Sequence, residues 1–157
     1  MRLSPDKVPR LADLESGPLT ELLELWQTSA PEAELPGRQH MGPEKLVRIL
    51  DRVFLIDVLE DRERFRYRLI GTRIAEWSGG NATGRYLDDP ACGENRWQFI
   101  DLVKAVVATR QPVVTIGLKA IFGGSAHHFD RLMLPLARNG ETVDMIIGVA
   151  NARPVEA

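Results

Sequence analysis

The chain has 157 residues, of which 44% are hydrophobic and 27% charged, with 20 basic residues against 22 acidic. That composition describes one globular domain, with or without a docked extension, and excludes disorder over the whole length. It also excludes a surface built throughout for phosphate backbones. The longest apolar run, Met145 to Ala150, falls far short of the roughly 20 residues of a membrane span. The first residues, Met1 to Leu14, mix charge and proline without the apolar core of a secretory signal. The single cysteine, Cys92, allows no internal disulfide, so a reducing, cytoplasmic setting is expected.

In chain order, Ser16-Gly17-Pro18 reads as a turn and helix start. Leu19, Leu22, Leu23 and Trp26 follow at helical spacing, with Glu21 and Glu24 on the opposite face. Prolines between Ala30 and Pro36 break the pattern. Pro43, Leu46, Val47 and Leu50 predict a second short helix. Residues 1–50 thus form a helical lead with a proline-rich joint, residues 51–151 a core, and residues 152–157 a tail.

After Asp51 the period shortens. Val53 to Leu59 is a nearly continuous apolar run of strand formers. A charged turn, Glu60 to Glu63, leads into Arg64 to Ile70. Strict alternation there puts Phe65, Tyr67 and Leu69 on one face and Arg64, Arg66 and Arg68 on the other. The two runs predict an antiparallel hairpin. Thr72 is placed to cap a short helix holding Ile74, Ala75 and Trp77. Gly84 to Cys92 reads as loop. Glu94 to Arg110 is the strongest helix, carried by Trp97, Ile100, Asp101, Val103, Lys104 and Val107 and closed by Pro112. Three strands finish the chain: Val113–Phe122, His127–Ala137 and Thr142–Asn151. Gly123-Gly124-Ser125 and the Asn139-Gly140 pair turn between them.

Several strands are apolar on both faces. Val143, Met145, Ile147 and Val149 oppose Ile146 and Ala150, and Phe54, Ile56 and Val58 oppose Val53 and Leu55. An antiparallel sheet with one wet face alternates more cleanly, so something covers both sides. The helix Leu19–Trp26 is one candidate cover and a second subunit is another.

Two strands, a helical crossover and three hairpin-joined strands resemble the plan of a PAS domain. The residues carry the resemblance further. Phe54-Leu55-Ile56-Asp57-Val58 leading into Phe65 to Thr72 looks like the first hairpin of a bacterial PAS subfamily. So do Thr83-Gly84-Arg85-Tyr86-Leu87-Asp88 and Leu132-Met133-Leu134-Pro135-Leu136. That subfamily contains short, stand-alone chains with a helical lead. The resemblance, over Leu19 to Asn151, implies an α+β fold: a PAS-like five-stranded antiparallel sheet with helices across one face and an N-terminal helical extension. It implies a sensory or regulatory module, with any small-molecule ligand between sheet and helices. The signal would leave through the outer sheet face and flanking helices to a protein partner, often by way of a homodimer.

The resemblance also frames the site. The expected ligand pocket draws on Phe65, Tyr67, Trp77, Tyr86, Trp97, Ile116 and Leu134, although the same large side chains could simply fill a core. Haem is not expected, because the long helix has no histidine and His127 and His128, at a strand start, point to opposite faces. A covalently reacting flavin is not expected, because the cysteine pattern it needs is missing near Asn81-Ala82 and Cys92 lies in another loop. Cys92 reads as a plain thiol. His128 and Asp130 share a strand face without a third metal ligand. Arg85 and Asp88 read as a loop held by its own ion pair. Arg64, Arg66 and Arg68 alternate with aromatics on the opposite face, so they make no stacking platform and nucleic acid is not expected as a partner. No nucleophile elbow, phosphate loop or zincin helix is present, so no catalytic residue is assigned. The first reading is a sensory module without enzymatic output. Behind it stand a pure protein-interaction domain and, further back, a small enzyme on a similar shell.

Overall fold

The computed structural model describes residues 14, 17–30, 34–122 and 125–155. Most of the segment Met1–Leu14, Ser16, part of the proline-rich joint, the Gly123-Gly124 turn and the last two residues of the tail lie outside them.

Among the described residues, four α-helices and five strands make up the order α1 (Pro18–Ser29), α2 (Pro43–Leu46), β1 (Val53–Val58), β2 (Phe65–Ile70), α3 (Thr72–Ser78), α4 (Arg96–Thr109), β3 (Val113–Phe122), β4 (Ser125–Leu136) and β5 (Met145–Pro154). Each strand pairs antiparallel with its neighbours in one sheet of order β2-β1-β5-β4-β3. The first and last strands of the chain thus lie side by side, and β5 is central. It runs on to Pro154, three residues beyond the strand end expected at Asn151. The short third helix is entered from Gly71 rather than Thr72, which is itself its first helical residue. Gly71 is needed there because a Cβ would overlap the backbone carbonyl of Asp51.

Both sheet faces are covered within one chain. On the outer face, Leu19, Leu22 and Leu23 of α1, with Met41, Leu46 and Ile49, pack onto Val53, Leu55, Leu132, Leu134, Leu136, Ile147 and Val149. On the inner face, Ile100, Val103 and Val106 of α4 pack onto Phe54, Ile56, Phe65, Met133 and Ile146. Burying a leucine of this kind is worth about 1.5–3 kcal/mol. The two-faced strands therefore do not call for a second subunit, because α1 supplies the cover.

Trp26 fixes α1 by donating its indole N–H to the Pro135 carbonyl oxygen at 2.9 Å. A strand residue turns its N and O to the same side. The proline nitrogen therefore points away from β5, where β3 has already ended at Val113 opposite Met133. A missing N–H costs nothing in that position.

The hairpin β1–β2 departs from strict alternation. Leu55 pairs with Leu69 but Ile56 pairs with Tyr67, so Arg68 is an extra, bulged residue. The bulge moves Leu69 to the outer face, apart from Phe65 and Tyr67 on the inner face. It also brings Arg66 and Arg68 onto one carboxylate, Asp57, at 3.6 and 3.1 Å. Those two arginines are thus ion-paired with a largely buried partner and do not form a simple solvated strip.

Gly148 faces Phe54 across the β1–β5 pair, and a Cβ there would overlap the Phe54 ring. Gly148→Ala is therefore expected to cost about 1–3 kcal/mol through displacement of that ring. Urea unfolding measures it, and an unchanged midpoint would show that the ring is not seated on Gly148.

Candidate functional site

The inner face joins five elements around a few aromatic rings. Phe99 of α4 lies 6.1 Å from Phe54 of β1 and is stacked at 6.3 Å, 20° from parallel, on Tyr67 of β2. Trp77 of α3 meets Phe129 of β4 edge-on at 5.5 Å. Beside them β5 presents only small residues in register: Gly148 opposite Met133, Ala150 opposite Arg131 and Ala152 opposite Phe129.

Arg131 is the polar exception in this layer. It shares its side of β4 with Phe129 and Met133, so its side chain enters the α4-facing layer, with the guanidinium 4.5 Å from the centre of the Phe99 ring. Its Nε is buried and has no hydrogen-bond partner, and no carboxylate among the described residues pairs with it. Burial pushes its pKa down, and only the Tyr67 phenol pulls the other way. An arginine remains charged even so. Burial likewise pushes the Tyr67 phenol up, with Cys92 adding to the shift and Arg131 opposing it. The phenol therefore stays protonated and can donate a hydrogen bond. Arg131 escaped the reading of the sequence. The available signal was an arginine occupying the parity position between Phe129 and Met133.

The seven expected pocket residues do not form one lining. Phe65 and Tyr67 belong to the inner layer, with Trp77 nearby on α3. Tyr86 lies at the β2 edge, bridging to Arg66, with the Arg64 guanidinium 3.8 Å over its ring. Leu134 is fully buried on the other face, beneath α1. Trp97 is 55% exposed, because the buried stripe of α4 starts one turn later at Ile100. Ile116 is also exposed, because β3 slips register between Thr115 and Leu118. Of the seven, Tyr67 alone lines either of two surface clefts. One, of 260 Å³, is formed by Asp57, Arg66, Tyr67, Arg68, Thr83 and Gly84. The other, of 530 Å³, lies between Val47–Asp51 and Leu69–Thr72 on the far side.

Several other titratable groups have structural partners. Cys92 is half-buried, its Sγ 3.5 Å from the Tyr86 carbonyl oxygen, and burial pushes its thiol pKa up, with Asp89 adding to this. It is a thiol, not a poised thiolate. Arg85 pairs with Asp89 at 3.4 Å rather than with Asp88, which instead meets Arg64 at 3.7 Å. The His40 Nδ1 accepts from the Gly37 N–H at 2.9 Å. Asp130 does not wait for a metal with His128. It accepts from Arg153 at 2.9 and 3.0 Å and from the Gly117 N–H at 2.9 Å, which fixes the β3 bulge where Gly117 takes a φ of +75°. No group of three or more potential metal ligands occurs among the described residues.

The family model described as "PAS domain" matches residues 14–151. The PAS domain of Bordetella pertussis BvgS superposes with a TM-score of 0.50 at 16% identity, over 71% of this chain and 83% of that one. At that identity the likeness speaks for the fold alone. An IcIR transcriptional regulator from Alicyclobacillus acidocaldarius aligns at 12% identity over 87% of this chain and 57% of that one. Its TM-score of 0.33 carries no argument. No curated protein matches.

Asp130 offers a pH test. Burial alone would raise its pKa, but the Arg153 and Gly117 hydrogen bonds and the charges of Arg153 and His128 outweigh that and hold it below the ordinary value of 3.8. A depressed pKa adds stability above the unfolded value and loses it as pH falls through the folded one. Asp130→Asn is therefore expected to lower Tm at neutral pH, with the gap to the parent protein closing below pH 3.8. A gap that persists unchanged in acid would show that the charge of Asp130 contributes nothing.

Proposed function

The chain belongs to the PAS domain family, and from that premise we propose that it is a sensory or regulatory module without enzymatic output of its own. It binds a small molecule on the α4-facing side of the sheet and passes the event to a protein partner through α1. The setting proposed is cytoplasmic. No helix among the described residues is long and apolar enough to cross a membrane.

One observation carries this reading. Neighbouring residues of β4 and β5 alternately serve both layers: Leu132, Leu134, Ile147 and Val149 lie under α1, while Arg131, Met133 and Ile146 lie under α4. A shift of these strands caused by a ligand on the inner face therefore moves the bed on which α1 rests. Packed interiors transmit such strain because they compress little.

A second reading, an interaction domain without ligand, is favoured by the β3 edge. This strand is the last in the sheet, and Leu118 is 49% and Ile116 37% exposed on it. An edge with exposed apolar side chains is a template for another chain. A homodimer was expected through the first helix and the outer sheet face; α1 already fills that face, so the homodimer proposed here uses the β3 edge instead.

Mass spectrometry of the freshly purified protein, native and then denatured, separates the two readings. The sensory reading predicts a released small molecule whose return slows amide exchange in residues 18–29 of α1, although it binds on the opposite face. A chain that carries no molecule and elutes as a dimer by light scattering would favour the interaction domain instead.

A further inference from the structure

Arg131 is partly buried, and no described residue pairs with its charge. A cation in an apolar layer costs several kcal/mol unless it is paired. Here the guanidinium lies against Phe99, its Nε is sealed without an acceptor, and no carboxylate of the described residues meets it. The other arginines of the neighbouring hairpin are already engaged: Arg66 and Arg68 hold Asp57, and Arg64 meets Asp88. The contrast matters, because each of those arginines meets a carboxylate and is also open to water.

The surroundings also describe what fits. Directly across β5, the residues facing Arg131 and Phe129 are Ala150 and Ala152, whose side chains are only methyl groups. On the other strand Thr115, opposite Arg131, brings a hydroxyl. The protonated Tyr67 phenol lies within electrostatic reach and makes no hydrogen bond with a described residue. A guanidinium fork, a phenol and a hydroxyl are donors for an oxyanion, and Phe99 brings an apolar ring beside the guanidinium. One cation balances one negative charge. A dianion such as phosphate would bring a second charge into an apolar layer with no partner for it.

We propose that Arg131, with Tyr67 beside it, receives the carboxylate of a small monocarboxylic acid whose flat apolar body packs on Phe99. The inference rests on the ligand-binding reading above and names its ligand class. The carboxylate takes the two-toothed geometry of an arginine fork. It neutralises Arg131 on entry, so binding tightens the contact between β4 and α4.

The test uses the full chain with three probes: benzoate, its uncharged relative benzamide, and inorganic phosphate. Benzoate is expected to raise Tm by about 5–10 °C at a hundred times its Kd, while benzamide and phosphate leave it unchanged. Arg131→Met should weaken benzoate binding at least tenfold, by about the strength of a charge-assisted hydrogen bond. Without ligand it should melt at or above the parent temperature, since an apolar replacement removes the unbalanced charge. Arg131→Lys keeps the charge but loses the fork, and should bind benzoate with intermediate affinity. Benzamide binding equally to parent and Arg131→Met would leave a ligand-binding module standing and overturn the acid. A marked fall in the Tm of ligand-free Arg131→Met would make Arg131 a structural brace and overturn the proposal. So would a benzoate response that survives Arg131→Met, or no response to benzoate at all. The molecule released from the purified protein tests the ligand-binding reading separately.

Discussion

The central strand β5 carries Met145, Ile147 and Val149 on one face and Ile146 on the other, and its neighbours β1 and β4 do the same. Such a sheet cannot leave either face to water, because each exposed row would forfeit several buried side chains at about 1.5–3 kcal/mol apiece. The chain meets that constraint with α1 on the outer face and α4 on the inner one. Much of the rest follows from it. The helical lead is part of the globule and not a free arm, and Trp26 binds a carbonyl of β4. The edge strand β2 is also covered, because residues 84–87 run alongside it and exchange backbone hydrogen bonds with Phe65 and Tyr67.

A sheet covered on both sides is also a coupler. Each strand residue belongs to one layer and its neighbour to the other, so the two helical layers share one backbone. The inner layer has the aromatic rings, the small residues of β5 and the unbalanced guanidinium of Arg131. The outer layer has the helix that a partner can reach. The strands are the backbone that the two layers share. This arrangement gives a family known for its fold a definite mechanical reading in this chain.

The elements were legible in the sequence because their periods are strong. The alternation of β2, the helical spacing of α1 and α4 and the Asn139-Gly140 turn each point to local structure without help from the rest of the chain. What failed was what depends on pairing. Leu69 changed faces because Arg68 bulges against β1, and no local pattern marks an unpaired residue. Ile116 became exposed for the same reason at the β3 slip, although Gly117 beside it was a hint. Leu134 was expected in the pocket, yet its parity with Leu132 and Leu136 assigns it to the α1 layer. Trp97 fits the helical stripe by spacing but lies one turn before the burial begins. Arg131 stands as a charge between Phe129 and Met133 on β4, and only the pairing of β4 with its neighbours shows that this row faces α4. Sequence spacing gives faces, while sites depend on which faces meet.

The central claim is that the two layers are coupled through the sheet. A double-mutant cycle between Leu22 of α1 and Ile100 of α4 tests it most directly, since the two side chains lie in separate clusters on opposite faces. Leu22→Ala and Ile100→Ala, singly and together, are compared by urea unfolding. The account predicts a coupling energy above about 0.5 kcal/mol, as for residues joined through a shared backbone shift. Additivity within about 0.3 kcal/mol would mean that the faces are independent, and that a ligand under α4 has no mechanical route to α1.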